Sequence, residues 1–157
     1  MCVNFTERFR TYFEREAAQT AAKSLSDGAE IEFQILNGTL AAETFTLTRE
    51  QHQNQVKNGP ARQPQLVFTL PHQAAEEILA EKSQEIGKIG VNIMQLIITK
   101  DTNLKIGVQF RAGFLTLFSK GYLGIISTGG SVFAAFMASQ RLNGIGAIKA
   151  ALKRAIK

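Results

Sequence analysis

The chain has 157 residues, 45% of them hydrophobic and 20% charged, with a formal net charge of +5. That is the size and composition of one globular domain, and it excludes a disordered or low-complexity chain. The charge is unevenly spread: residues 1–101 carry 10 bases and 13 acids, whereas residues 102–157 carry eight bases and no acid.

Asn4-Phe5-Thr6-Glu7 reads as a helix start, with Asn4 as cap and Glu7 three residues on. Phe5, Phe9, Tyr12, Phe13, Ala17 and Ala21 follow at helical spacing, which predicts one helix ending near Ser24, before Asp27-Gly28. Ile31, Phe33 and Ile35 alternate with Glu32 and Gln34, the period of a half-buried strand. Leu36-Asn37-Gly38-Thr39 is a hairpin signal, because both turn positions favour positive φ. The return strand runs through Thr44 to Thr48, with Phe45 and Leu47 facing in and the threonines facing out. Gln51 to Pro64 is polar and interrupted by Asn58-Gly59-Pro60 and Pro64, which predicts a loop with His52 solvated in it.

Gln65 to Leu70 is the third predicted strand, and Pro71 suits the start of a helix from about His72 to Lys82. Glu76-Glu77 reads as a helix face and not a catalytic pair, because adjacent helical residues point apart and no other acid is placed to work with them. Ile86, Ile89, Ile93, Met94, Leu96 and Ile97 form a second apolar helical face. After the turn at Asp101-Thr102-Asn103, Leu104, Ile106, Val108 and Phe110 alternate as a fourth strand. The uncharged run Gly121–Gln140 has the roughly 20 residues a membrane span needs. Gly129-Gly130 at its middle costs about 2 kcal/mol of helix propensity, so two short buried helices are the better reading. Ile145, Ile148, Leu152 and Ile156 make a last helical stripe, flanked by Lys149, Lys153, Arg154 and Lys157. That is a short basic amphipathic helix suited to contact with an anionic membrane surface.

An acid-free basic segment points to an anionic partner. Its aromatics sit among aliphatics and glycines, as in Gly113-Phe114-Leu115-Thr116-Leu117-Phe118, which argues against nucleic acid. Gly121-Tyr122-Leu123-Gly124 and Gly144-Ile145-Gly146 lack the strand–turn–helix setting of a phosphate site. Two distant histidines and one cysteine do not make a metal site, and no serine or cysteine has an evident base. The expectation is a protein without catalytic residues, metal or cofactor. Cys2 is the single cysteine, so no intrachain disulfide framework forms, and a reducing compartment fits. Met1 to Arg10 mixes polar and aromatic residues and does not read as a secretory leader. The expected location is cytoplasmic, with a peripheral membrane encounter as the second reading.

The order helix, hairpin, polar loop, strand, helix and late strand resembles the sterol carrier protein type-2 lipid-transfer domain. Val67-Phe68-Thr69-Leu70 leading into Ala74 to Leu79 looks like that family's strand–turn–helix, and Leu104-Lys105-Ile106-Gly107 looks like its later strand near a glycine. The likeness covers roughly residues 3–125. It implies one α+β domain over 1–157, with a helical C-terminal extension over about 111–157. It further implies a curved, mainly antiparallel sheet of about four to five strands, covered on one face by helices. Between sheet and helices it implies an apolar tunnel that binds or transfers a fatty acyl, sterol or phospholipid chain non-covalently. The residues expected to line it are Ile93, Leu96 and Ile97, then Phe114, Leu117 and Phe118, then Leu123, Phe133, Phe136 and Met137. A filled core produces the same pattern as a tunnel. The alternative function is a membrane-surface or assembly protein that uses the basic C-terminal helix.

Overall fold

Asn4 caps the first helix, α1 (Phe5–Glu14), its side-chain oxygen accepting the Glu7 N–H at 2.8 Å. The apolar stripe continues to Ala21 in the sequence, yet the helix breaks at Arg15, which is extended with φ −68° and ψ 162°. A second helix, α2 (Glu16–Ala21), restarts immediately. The break frees backbone carbonyls that other side chains satisfy. Asn54 donates to the carbonyl of Phe13 at 3.0 Å, and Gln19 donates to that of Glu14 at 3.2 Å; Asn54 also donates to the Ala18 carbonyl of α2 at 3.1 Å. The single helix expected to run to near Ser24 is therefore two short ones, because tertiary hydrogen bonds override local spacing.

The computed structural model describes residues 4–37, 40–82, 85–112, 116 and 119–121. Five strands form one sheet in the order β3-β2-β1-β4-β5. They are β1 (Glu30–Asn37), β2 (Leu40–Glu50), β3 (Gln53–Asn58), β4 (Leu66–Pro71) and β5 (Gly107–Phe110). All neighbours are antiparallel except β1 and β4, which run parallel. Helices α3 (His72–Ala80) and α4 (Ile86–Ile98) lie between β4 and β5 in the chain, so the fold is α+β with a mainly antiparallel sheet.

The expected hairpin is present as an antiparallel β1–β2 pair in which Asn37 pairs with Leu40; Gly38 and Thr39 lie outside the described residues. Ile35 stands opposite Glu43 and Leu36 opposite Ala41, which leaves Ala42 as the extra residue of a β-bulge.

The expected loop Gln51–Pro64 is corrected in its first half, which is strand β3. Val56 is the one apolar residue of that strand, so the period-two signal was absent. Glu50 pairs with Gln53, leaving Gln51-His52 as a two-residue turn with φ of 52° and 61°. Positive φ at both positions is the signature of a type I′ hairpin, usually served by Asn-Gly, so Gln-His gave no warning of it. Asp27 supports the turn by accepting the His52 N–H at 2.9 Å. The imidazole itself is exposed, as expected.

A parallel pair requires a crossover, and the chain makes it over the sheet face away from the helices. Ala61 N–H donates to the Glu32 carboxylate at 3.0 Å, and Gln63 N–H donates to that of Glu30 at 2.9 Å. Thr46 donates its hydroxyl to the Gly59 carbonyl at 2.8 Å. Glu32, Thr46 and Thr48 thus point away from the helices as predicted, but they are buried and not solvated.

The core lies on the other face. Ile31, Phe33, Ile35, Phe45 and Leu47 meet Phe9 and Tyr12 of α1 there. Arg8 ties α1 to α3 through two bonds to Glu76, at 3.2 and 2.5 Å, and this hydrogen bonding holds the Glu76 carboxyl below its ordinary pKa. Strand β5 begins at Gly107, later than the predicted Leu104, because the residues before it bond to the end of α4. Lys105 donates to the carbonyls of Ile97 at 3.0 Å and Thr99 at 3.2 Å, capping that helix, and Ile106 N–H donates to Leu96 at 3.0 Å.

Beyond β5 the chain returns to the α2–β1 connection. Ser26 N–H donates to the Lys120 carbonyl at 2.9 Å, and the Ser24 hydroxyl donates to that of Gly121 at 2.8 Å. Gly121 has φ +86°, and a Cβ there would stand 1.8 Å from the Ser24 carbonyl oxygen, so this approach requires glycine. Among the described residues no helix is long and apolar enough to cross a membrane. Residues 122–157, with the two short helices and the basic helix expected there, lie outside the described ones.

Candidate apolar ligand site

The two N-terminal helices meet the sheet with side chains of very different bulk. α1 presents Phe9, Tyr12 and Phe13, whereas α2 and the turn after it present Ala17, Ala18, Ala21 and Ala22. Four alanines do not fill the space that aromatics fill. What remains is an apolar cleft of about 200 Å³. Its sheet wall is Ile31, Phe33, Leu47, Phe68 and Leu70, and Ile86, Ile89 and Ile93 of α4 face it together with Ile106. An apolar void of roughly 150 Å³ stays dry and takes up benzene, so this one has room for an apolar group of similar bulk.

A second, larger cleft of about 480 Å³ lies against the first. Tyr12, Ile78, Ile89 and Ile93 line both and form the wall between them. The outer cleft has a polar rim of Glu77, Glu81, Asn92, Gln95 and Thr99. Asn92 donates its amide N–H to the Glu81 carboxylate, which ties α4 to the end of α3 across this rim.

The inner cleft has three polar contributors among the described residues: Tyr12, Arg15 and Asn54. Asn54 is fully engaged. Besides the carbonyls at the helix break, it accepts from Arg49 Nη1 at 2.7 Å, and its backbone N–H donates to Gln19 at 2.8 Å. Arg49 Nη1 also donates to Gln19 at 3.1 Å, so these three side chains form one hydrogen-bonded network beside the cleft. The Tyr12 hydroxyl and Arg15 Nε are also buried. The Arg15 guanidinium lies 4.2 Å from the centre of the Tyr12 ring, a cation–π placement. Burial raises the phenol pKa, and Arg15 opposes that rise, so the hydroxyl stays protonated through the neutral range.

The expected lining residues divide. Ile93 lines both clefts and Leu96 lines the outer one, whereas Ile97 is buried in the core and lines neither. Phe114, Leu117, Phe118, Leu123, Phe133, Phe136 and Met137 lie outside the described residues, as do Lys149, Lys153, Arg154 and Lys157. The structure adds Tyr12, Phe33, Phe68, Ile89 and Ile106 to the walls. The sequence signal for them was the change from aromatics at Phe9, Tyr12 and Phe13 to paired alanines at 17–18 and 21–22. Among the described residues no His, Cys, Asp and Glu side chains gather as a metal site. No protein-family model matches the chain, and no curated protein matches it.

Proposed function

We propose that the protein binds an apolar lipid chain non-covalently and carries it between membranes, without catalysing a reaction on it. The observation that supports this most is the apolar cleft between sheet and helices, backed by a larger cleft with a polar rim. Burying ten methylenes contributes roughly 8 kcal/mol, so a long chain needs few polar contacts to bind. The helix, hairpin, strand, helix and late strand on which the likeness to sterol carrier protein type-2 domains rests also support the reading, with β3 standing in the first half of the expected polar loop. In this reading the carrier works in a reducing compartment such as the cytoplasm, and the basic residues Lys149, Lys153, Arg154 and Lys157 meet an anionic membrane surface.

The test is a titration of the purified protein with a fluorescent long-chain fatty acid or sterol, paired with organic extraction of freshly purified protein. The expected result is saturable binding of one probe per chain, displaced by unlabelled lipid. Protein that extracts clean and takes up neither probe contradicts the proposal.

A further inference from the structure

The sheet has two edge strands, and side chains close one of them. On β3 the outward backbone groups belong to Asn54 and Val56. Asn54 N–H donates to the Gln19 side chain at 2.8 Å, and its carbonyl accepts from the Gln19 amide at 3.4 Å. Val56 N–H donates to the Glu14 carboxylate at 2.9 Å, and its carbonyl accepts from Arg10 Nε at 3.3 Å. The two helices thus supply the bonds a further strand would make, and that edge has nothing left to pair with.

The outer edge of β5 differs. Arg111 N–H donates to the Gln65 carbonyl at 2.9 Å, so the odd-numbered residues of β5 turn their backbone groups toward β4. Val108 and Phe110 turn theirs away. Ile106, earlier in the same row, donates its N–H to the Leu96 carbonyl of α4 at 3.0 Å. Past it, among the described residues, no hydrogen bond meets the outward backbone groups of Val108 and Phe110.

We propose that the β5 edge docks an extended acidic segment of a partner protein, which joins the sheet as a sixth strand. Main-chain bonds to Val108 and Phe110 hold such a segment whatever its sequence, and side chains select it. Val108 is buried on the helix-covered face and Phe110 is half-buried beside it, so the neighbouring positions of the added strand are apolar. Gln109 and Arg111 are exposed on the other face, so the positions beside them carry carboxylates that pair with Arg111. Lys105 and Lys120 add positive charge, and no acid follows Asp101. Two other occupants lack this complement. A second copy paired through β5 brings Arg111 and Lys105 of both chains to one edge with no carboxylate from either strand. The chain's own residues 122–157 contain no acid. Docking at this edge is independent of lipid binding in the cleft.

The experiment adds two end-capped peptides, Glu-Val-Glu-Val-Glu-Val and Lys-Val-Lys-Val-Lys-Val, to the full chain and follows its backbone amides by NMR. The acidic peptide is expected to bind about fivefold tighter than the basic one, the worth of one favourable cross-strand charge pair. It is expected to slow hydrogen exchange at the Val108 and Phe110 N–H groups and to leave those of Gly107 and Gln109, which face β4, unchanged. Arg111→Glu, at an exposed position, is expected to reverse the preference, and thermal melting checks that it folds. Equal binding of the two peptides, binding of neither, or protection elsewhere on the chain overturns the proposal. Val108 and Phe110 N–H groups already protected in the chain alone overturn it as well, and sedimentation then shows whether a second copy or the chain's own residues hold the edge. The comparison on the wild type needs no variant to fold.

Discussion

Replacing Phe9 with alanine lowers the free energy of unfolding by about 3–5 kcal/mol. Phe9 is 1% exposed and sits at the centre of the aromatic cluster. Its ring stacks on Phe45 at 4.4 Å and 15°, meets Phe33 edge-on at 5.3 Å and packs against Phe13 at 4.8 Å. Aromatic pairs of this kind contribute about 0.5–1.5 kcal/mol each beyond the area they bury. The cavity left behind cannot close easily, because α1 is fixed at both ends. Asn4 caps its start, and Asn54 and Gln19 hold the carbonyls at its finish. A domain of this size has on the order of 5–15 kcal/mol of stability in all, so the loss is a large share of it. Urea unfolding of the two proteins reads it directly. A loss under about 1 kcal/mol would mean that α1 does not pack on the sheet as described.

Ala21→Phe has the opposite effect on packing and the larger effect on function. Ala21 is half-buried and lines the inner cleft, so a phenyl ring at that position enters the void. Overpacking a full core costs about 1–3 kcal/mol, but filling an existing void restores dispersion contacts that the lining residues lack. The expected result is a melting temperature equal to or above that of the wild type, with affinity for a long-chain lipid reduced at least tenfold. Ala18→Leu on the same wall gives the same direction and guards against a local clash at position 21. Unchanged affinity in both folded variants would show that lipid, if bound, sits elsewhere.

The elements with a clean period or a cap were legible in the sequence. Asn4 as cap, β1 with Ile31, Phe33 and Ile35 inward, and the apolar faces of α3 and α4 follow directly from spacing. What escaped notice depended on distant partners. The break at Arg15 is stabilised by Asn54, a residue on a strand that itself carries no hydrophobic alternation. The Gln51-His52 turn is supported by Asp27 from another connection. The burial of Glu32 comes from a crossover whose backbone N–H groups seek its carboxylate. The cleft escaped for a further reason. Apolar composition marks where a core can form, but a void is set by missing volume, and here the missing volume is that of alanines at 17–18 and 21–22. Weight of aromatic residues drew the expected lining toward the C-terminal third. In the described residues the cleft is built more by residues 12–33 than by residues 86–106.

The most direct test of lipid binding in this cleft is isoleucine-methyl NMR during titration with palmitic acid. Ile31, Ile78, Ile86, Ile89, Ile93 and Ile106 line the cleft, whereas Ile35, buried on the same sheet face, does not. The account predicts saturable shifts of the first six methyl signals, with Ile35 unmoved. Methyl signals that stay in place at saturating lipid, or shifts confined to isoleucines outside the cleft, would contradict it.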